Sequence, residues 1–318
     1  MVIKMCVIVD RKEINKSENF TCFELMVMQL CKYWSIDFWD MFAWRLSFSY
    51  CEVRSEKKTY FPICFNRNYN KEFEFIKCYL GLEIKSFEFC NLQFKDIVVG
   101  ELADKKMVGI LLDTYFCSWN EAYKKSHLPH FCLIIGYNSE YYYVCDTYAS
   151  SEIIYIPKRK INEQLIKNYL LFHQIKKESY SLYDLLQNGF SYGEKYNNMN
   201  DYANILLDCK LSDVISEGEL LDIKTSSTLR NIKFYSDDRI GFYKLLLKYS
   251  NILPWDLLER FSEIKDKWSQ FLYMYIHILL RNDEKREMSA IGNILLEISE
   301  YEEKFKTDIM KFLEYENK

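Results

Sequence analysis

The sequence contains few of the residues that make flexible linkers or phosphate-binding turns. Its 318 residues include only 9 glycines and 4 prolines, and the glycines stand apart, so neither a Walker sequence nor a GxGxxG motif occurs. The longest apolar stretch with helical spacing, "FLYMYIHILL" at 271–280, covers about half of a bilayer. These absences argue against nucleotide chemistry and against a membrane-spanning helix.

Basic residues are not in excess either. The formal net charge is −4 and the lysines are scattered, so no basic surface for nucleic acid is expected. The opening "VIKMCVIVDRKEINK" lacks both the apolar core and the cleavage site of a signal peptide, which predicts a cytoplasmic protein. The 11 cysteines are odd in number and form no CxxC pair, so most are expected to be reduced, buried thiols.

An aromatic-rich composition, with 26 Tyr and 22 Phe, predicts a well-packed interior. After an opening strand, apolar residues repeat at helical spacing from Phe23 to Tyr33. Ser17, Asn19 and Thr21 are all plausible N-cap residues for this helix, and Thr21 would place Cys22 in the first turn. A short helix at 71–81 and strands at 83–90 and 107–116 follow. Beyond residue 175 the helical period dominates, notably at 238–250, 254–281 and 285–315. We therefore expect two regions, 1–175 and a mainly helical 176–318.

The stretch "SHLPHFCLIIGYNSEYYYVCDTY" at 126–148 is typical of a hairpin that turns at Asn138 and Ser139. In such a hairpin Asp146 would lie opposite Phe131 and therefore beside His130. A carboxylate fixes one nitrogen of a histidine and leaves the other free to accept a proton. Cys22, at the positive end of a helix, would complete a nucleophile, base and orienting acid.

Three segments carry a resemblance to a known family: "NFTCFE" at 19–24, "DTYFCSWNEAYKKSHLPHF" at 113–131, and "IIGYN" followed by "VCDTY". They resemble papain-like cysteine peptidases, in particular the family 39 peptidases that trim leader peptides. They are more similar to the peptidase-like acyltransferases of nonribosomal peptide and aminoglycoside pathways, of the kind found in butirosin and closthioamide biosynthesis. The resemblance covers roughly residues 15–157.

This resemblance implies an α+β papain-like fold, in which an N-terminal helix packs on an antiparallel sheet, followed by a C-terminal helical region. It also implies that Cys22, His130 and Asp146 transfer an acyl group from a phosphopantetheine thioester to an amine. The partners would then be an acyl or peptidyl carrier protein and a small-molecule amine, with no metal and no diffusible cofactor. Further substrate or oxyanion contacts are expected from Asn19, Asp113, Trp119 and His127.

The sequence departs from the leader-trimming peptidases at two positions. Those enzymes have a glutamine six residues before the cysteine and a small residue after it, where this chain has Lys16 and Phe23. The departure disfavours proteolysis, but a peptidase or thioesterase remains an alternative, and a noncatalytic binding protein is a third. A zinc site built on His127, His130 and Cys132 is disfavoured, because an extended HxxH lacks the helical face that HxxH motifs have in metalloenzymes.

Overall fold

The computed structural model describes residues 6–7, 20–54, 59–65, 68–194, 198–215, 226–281 and 284–316. Its elements, in chain order, are β1 (Cys6–Val7), α1 (Cys22–Tyr33), β2 (Ser49–Tyr50), β3 (Val53–Arg54), β4 (Thr59–Tyr60), β5 (Ile63–Cys64), α2 (Tyr69–Leu80), β6 (Leu82–Glu88), α3 (Asn91–Ala103), β7 (Val108–Asp113), β8 (Pro129–Tyr137), β9 (Tyr141–Cys145), β10 (Ile154–Pro157), β11 (Ile166–Gln174), α4 (Leu182–Glu194), α5 (Met199–Asp208), α6 (Ser227–Lys248), α7 (Trp255–Arg281) and α8 (Glu284–Glu316). The fold thus mixes helices with antiparallel strands and ends in a helical region.

The chain divides into two compact units. The first comprises 1–38 and 69–178, and the second comprises 39–68 and 179–318. The division after residue 178 lies close to the expected boundary at 175, but 39–68 groups with the C-terminal helices. The physical reason is aromatic packing within the second unit: the Phe48 ring lies 5.0 Å from Tyr235 and 6.0 Å from Trp268, centroid to centroid.

The first unit is organised around one antiparallel sheet. Its strand order is β10-β9-β8-β7-β11-β6, and β1 also pairs with β8. In the β7–β8 ladder, Leu112 pairs with His130, so the end of β7 lies beside the start of β8. The β8–β9 register shifts between Ile134 and Gly136, where a bulge interrupts the hairpin. The predicted hairpin is therefore present, with an irregularity that turn counting could not reveal.

Helix α1 begins at Cys22 because a capping box closes its N-terminus. Thr21 is the N-cap, and Glu24 Oε2 accepts hydrogen bonds from the Thr21 backbone N–H and hydroxyl, each at 2.6 Å. The next residue, Phe23, is completely buried and packs edge-to-face on Phe131 of β8, with centroids 5.2 Å apart. The cap and this aromatic contact together fix where Cys22 lies relative to the sheet.

Two elements of this sheet unit were not predicted from periodicity. Helix α3 buries only three side chains, Phe94, Val98 and Leu102, so its apolar stripe is narrow. Strand β11 pairs with both β6 and β7 and lies in the region just before residue 175. Its sequence "IKNYLLFHQ" does not alternate cleanly between polar and apolar residues, because the neighbouring residues Tyr169 and Leu170 point to opposite faces of the sheet and both are buried.

The second unit contains helices α4 to α8 and the short strands β2 to β5. The predicted helices at 254–281 and 285–315 are confirmed to within one residue at each end. The helix predicted at 238–250 starts earlier, because Ser226 caps α6 by accepting the Leu229 N–H. None of the helices that the structure describes is both long and apolar enough to cross a bilayer.

One pair of cysteines differs from the expectation of reduced thiols. Cys51 and Cys64 form a disulfide in the second unit. The pairing of β2 with β5 brings them together, since Ser49 pairs with Cys64 and the Cys51 N–H donates to the Pro62 carbonyl. The remaining cysteines with described side chains, among them Cys22, are free thiols.

Candidate active site

Cys22 is the first residue of α1 and its side chain is half-buried. The backbone N–H of Phe131, on β8, donates to Cys22 Sγ at 3.4 Å. The first backbone N–H groups of a helix have no partner within the helix, and its N-terminus carries partial positive charge. Strand β8 therefore supplies a hydrogen-bond donor to this sulfur, and the N-terminus of helix α1 supplies partial positive charge.

His130 and Asp146 meet as the sequence predicted. His130 Nε2 lies 2.7 Å from Asp146 Oδ2, and the two residues are only 3% and 1% exposed. His130 is the second residue of β8, and Asp146 directly follows the last residue of β9. With Nε2 bound to the carboxylate, Nδ1 is the nitrogen available to a nucleophile.

Asp146 is held by three donors. Besides His130, the Trp119 indole Nε1–H donates to Oδ2 at 2.8 Å and the Ala149 N–H donates to Oδ1 at 3.1 Å. Burial on its own would raise the pKa of Asp146. The hydrogen bond and charge of His130, with the Trp119 and Ala149 bonds, outweigh burial and lower the pKa below its ordinary value. Asp146 is therefore a carboxylate fixed in one orientation.

The pKa shifts of Cys22 and His130 favour the same ionised pair. Burial raises the pKa of Cys22, but the charge and hydrogen bond of His130 and the Phe131 N–H lower it more, so the net shift is downward from 9.0. Burial lowers the pKa of His130, but Cys132, Cys22 and Asp146 bring it well above 6.5. Both shifts favour a thiolate paired with an imidazolium, the reactive form of a cysteine nucleophile.

Two other thiols lie in the same electrostatic neighbourhood and differ in reactivity. Burial raises the pKa of Cys117 to about 12 and that of Cys132 well above 9.0, even though His130 opposes both shifts. Both residues are almost fully buried. Cys22 is thus the thiol of this group that is both partly exposed and activated.

Four residues were expected to make further substrate or oxyanion contacts, and of those that the structure describes, only Trp119 contacts Asp146. Trp119 donates to the Asp146 carboxylate, as described above. Asp113 and His127 form a pair of their own, with His127 Nδ1 2.8 Å from Asp113 Oδ2 and the His127 ring stacked 4.3 Å from Tyr115. Asn19, the expected oxyanion donor, lies outside the described residues, as does Lys16.

The sequence did not indicate three contributors to the site. The Phe131 and Ala149 N–H groups carry no side-chain signal, because any residue supplies such a donor. Cys132 was weighed only as a zinc ligand beside His127 and His130, whereas the structure places it with His130 and Asp146. The available signal was its spacing, since residues two apart on a strand share a face.

Comparison with protein-family models finds no match to this chain, and comparison with curated proteins finds none either. Function is therefore inferred from the arrangement of Cys22, His130 and Asp146.

Proposed function

We propose that this protein is a cysteine-dependent acyltransferase that forms an amide from a carrier-bound acyl thioester and an amine. The observation that carries the proposal is a half-buried Cys22 with a lowered pKa beside His130, whose far nitrogen is held by the buried Asp146. A thiolate of this kind exchanges acyl groups with thioesters at little thermodynamic cost, because one thioester replaces another.

In the first half-reaction, Cys22 Sγ attacks the thioester carbonyl carbon. A new carbon–sulfur bond forms, the pantetheine sulfur leaves, and His130 gives it a proton. In the second, an amine attacks the acyl-Cys22 carbonyl while the now neutral His130 takes the amine proton. The carbon–nitrogen bond forms, Cys22 leaves as a thiolate beside the imidazolium, and the amide departs. No redox step is needed.

Hydrogen-bond donors at the start of α1 support stabilisation of the tetrahedral intermediates. The Cys22 backbone N–H is one of the first-turn donors that lack an intrahelical acceptor. A donor placed where the oxyanion develops contributes about 3–4 kcal/mol in well-studied enzymes. The Asn19 side chain remains a proposed second donor.

A papain-like arrangement is also proposed for the first unit. The supporting features are a nucleophile at the first residue of a helix, a histidine at the start of a strand, and an aspartate after the adjacent strand of an antiparallel sheet. Under this proposal, 1–38 and 69–178 form the catalytic unit, and an acyl or peptidyl carrier protein is the macromolecular partner.

A hydrolase is the second candidate, and one structural observation removes an argument against it. Phe23 occupies the position where leader-trimming peptidases have a small residue. Its side chain is turned away into the core, fully buried and 5.4 Å from Tyr69 between ring centroids. Because the Phe23 ring packs in the core, its size does not by itself disfavour a peptidase or thioesterase.

Intact-protein mass spectrometry after mixing with acyl-loaded carrier protein tests the proposal. We expect a mass increase of one acyl group that Cys22→Ala abolishes and Cys78→Ala preserves, since Cys78 is an exposed thiol with a raised pKa. Adding an amine should discharge the adduct as an amide. Discharge only to water would establish the hydrolase, and an adduct that survives Cys22→Ala would refute the assignment of the nucleophile.

A further inference from the structure

The buried end of the β8–β9 hairpin holds three side chains that can all bind a metal ion. One ligand atom each from His130, Cys132 and Asp146 lie within 4.8 Å of one another. All three residues are at most 3% exposed. Nitrogen, sulfur and oxygen donors in one small cluster form a ligand set that Zn²⁺ accepts.

The backbone holds these side chains together. His130 and Cys132 are two residues apart on β8, so they project from the same face of the sheet. On β9, Cys145 pairs with Leu133, and the next position of that register sets Asp146 opposite Cys132. Residues directly opposite in an antiparallel pair share a face, which places all three donors on one side.

We propose that His130, Cys132 and Asp146 bind one thiophilic divalent cation, Zn²⁺ or Cd²⁺, and that this binding inhibits Cys22. In a tetrahedral zinc site the ligand atoms are about 3.5 Å apart, given metal–ligand distances of about 2.0–2.3 Å. Ligand atoms now within 4.8 Å reach that geometry through side-chain movements of about 1 Å. The metal displaces the proton shared by His130 and Asp146 and the thiol proton of Cys132.

Inhibition follows from the loss of His130 as an acid and base. With Nε2 bound to metal, the neutral ring keeps its one remaining proton on Nδ1. Releasing that proton would leave an imidazolate, so His130 no longer exchanges a proton with Cys22 or with substrate. The fourth metal position is left to water. Metal binding by this cluster does not depend on whether the enzyme transfers or hydrolyses acyl groups, so the two proposals can fail separately.

Titration with Cd²⁺ tests the site through the ultraviolet charge-transfer absorption of thiolate–Cd²⁺ bonds. The full-length chain with Cys78→Ala and Cys90→Ala serves as the starting protein, because those two thiols are exposed and would bind Cd²⁺ adventitiously. In that background we expect saturable absorption at one equivalent, retained in Cys22→Ala and weakened at least tenfold in Cys132→Ser. Mg²⁺, which prefers oxygen ligands, should not compete.

Iodoacetamide labelling of Cys22 provides the second readout. Cd²⁺ should slow labelling at least tenfold in the starting protein and leave it unchanged in Cys132→Ser, with EDTA restoring the original rate. Absorption lost in Cys22→Ala but kept in Cys132→Ser would overturn the proposal, since Cys22 would then be the ligand. Absence of Cd²⁺ binding would also overturn it. If circular dichroism shows that Cys132→Ser does not fold, Asp146→Asn replaces it as the variant that lacks one metal ligand.

Discussion

The backbone N–H of Phe131 donates to Cys22 Sγ across 3.4 Å, joining strand β8 to the start of helix α1. Because Phe131 directly follows His130, this one contact sets the sulfur against the part of β8 that carries the imidazole. Phe23 reinforces it by packing on the Phe131 ring. Cys22 Sγ is thus positioned beside His130 by a backbone hydrogen bond and an aromatic contact as well as by the charges of the two residues.

The pH dependence of Cys22 alkylation should reveal the thiolate pair. Because the pKa of Cys22 is lowered, its rate of reaction with iodoacetamide should reach half of its maximum at a pH below 9.0. In His130→Gln the positive charge that lowers the pKa of Cys22 is lost, so burial, which raises that pKa, dominates. The midpoint should therefore move upward, as followed by mass spectrometry of the labelled peptide. An unchanged midpoint in His130→Gln would show that His130 does not activate Cys22.

Loss of the Trp119 hydrogen bond should weaken catalysis without abolishing it. Trp119→Phe keeps an aromatic ring but removes the N–H that donates to Asp146. A hydrogen bond to a charged group contributes about 1.5–3 kcal/mol, so we expect acylation of Cys22 to slow roughly tenfold. Asp146→Asn should cost more, on the order of 10²-fold, because it removes the charge that holds His130 as an imidazolium.

Single-turnover acylation by a small thioester measures both Trp119→Phe and Asp146→Asn directly. A structural role for Trp119 alone would lower stability but leave the pH profile of acylation unchanged. We expect instead that the limb of the profile governed by His130 moves to lower pH, since a less firmly held carboxylate raises the pKa of His130 less.

His127 should prove dispensable for the chemistry of Cys22. It pairs with Asp113 and stacks on Tyr115, and its side chain is 63% exposed. His127→Gln should therefore leave both the rate and the pH midpoint of Cys22 alkylation within about twofold of the parent protein, because exposed charges at a distance are screened by salt. A large shift in the midpoint would place His127 in the same electrostatic group as His130.

The sequence predicted the site better than it predicted the sheet. Thr21 was one of three candidate N-caps, with Ser17 and Asn19, because an N-cap before an apolar period marks where a helix begins. In the structure Thr21 is the N-cap, which makes Cys22 the first helical residue. The meeting of His130 and Asp146 was also predicted, but from a register that set Asp146 opposite Phe131. The bulge between Ile134 and Gly136 shifts the pairing, so that the carboxylate reaches the face that His130 and Cys132 share.

Other features depend on contacts that no local pattern records. The segment 39–68 was expected with the N-terminal region because it lies there in sequence, but its aromatic side chains pack on helices α6 and α7. Strand β11 has buried residues on both of its faces, such as Tyr169 and Leu170, and so lacks the alternation that identifies a half-exposed strand. Long-range packing of this kind decides the outcome where local periodicity is weak.

The buried pair of Arg239 and Glu302 should dominate the stability of the second unit. Arg239 Nε and Nη2 donate to the two carboxylate oxygens of Glu302 at 2.8 and 2.9 Å, and Trp268 Nε1 donates to the same carboxylate at 2.7 Å. Both charged residues are 0% exposed. Glu302→Gln leaves a buried, uncompensated guanidinium, so we expect a loss of about 3–5 kcal/mol in the free energy of unfolding.

Urea denaturation followed by circular dichroism measures this loss, and the chain offers a matched control. Arg54 and Glu52 form an exposed ion pair at 2.7 Å, with side chains 79% and 46% exposed. Arg54→Gln should leave the free energy of unfolding almost unchanged, because solvent screens exposed pairs. If Glu302→Gln and Arg54→Gln lowered the free energy of unfolding by similar amounts, burial would not determine the strength of the Arg239–Glu302 pair. Replacing both partners, as Arg239→Met with Glu302→Leu, should recover part of the stability, since no uncompensated charge remains.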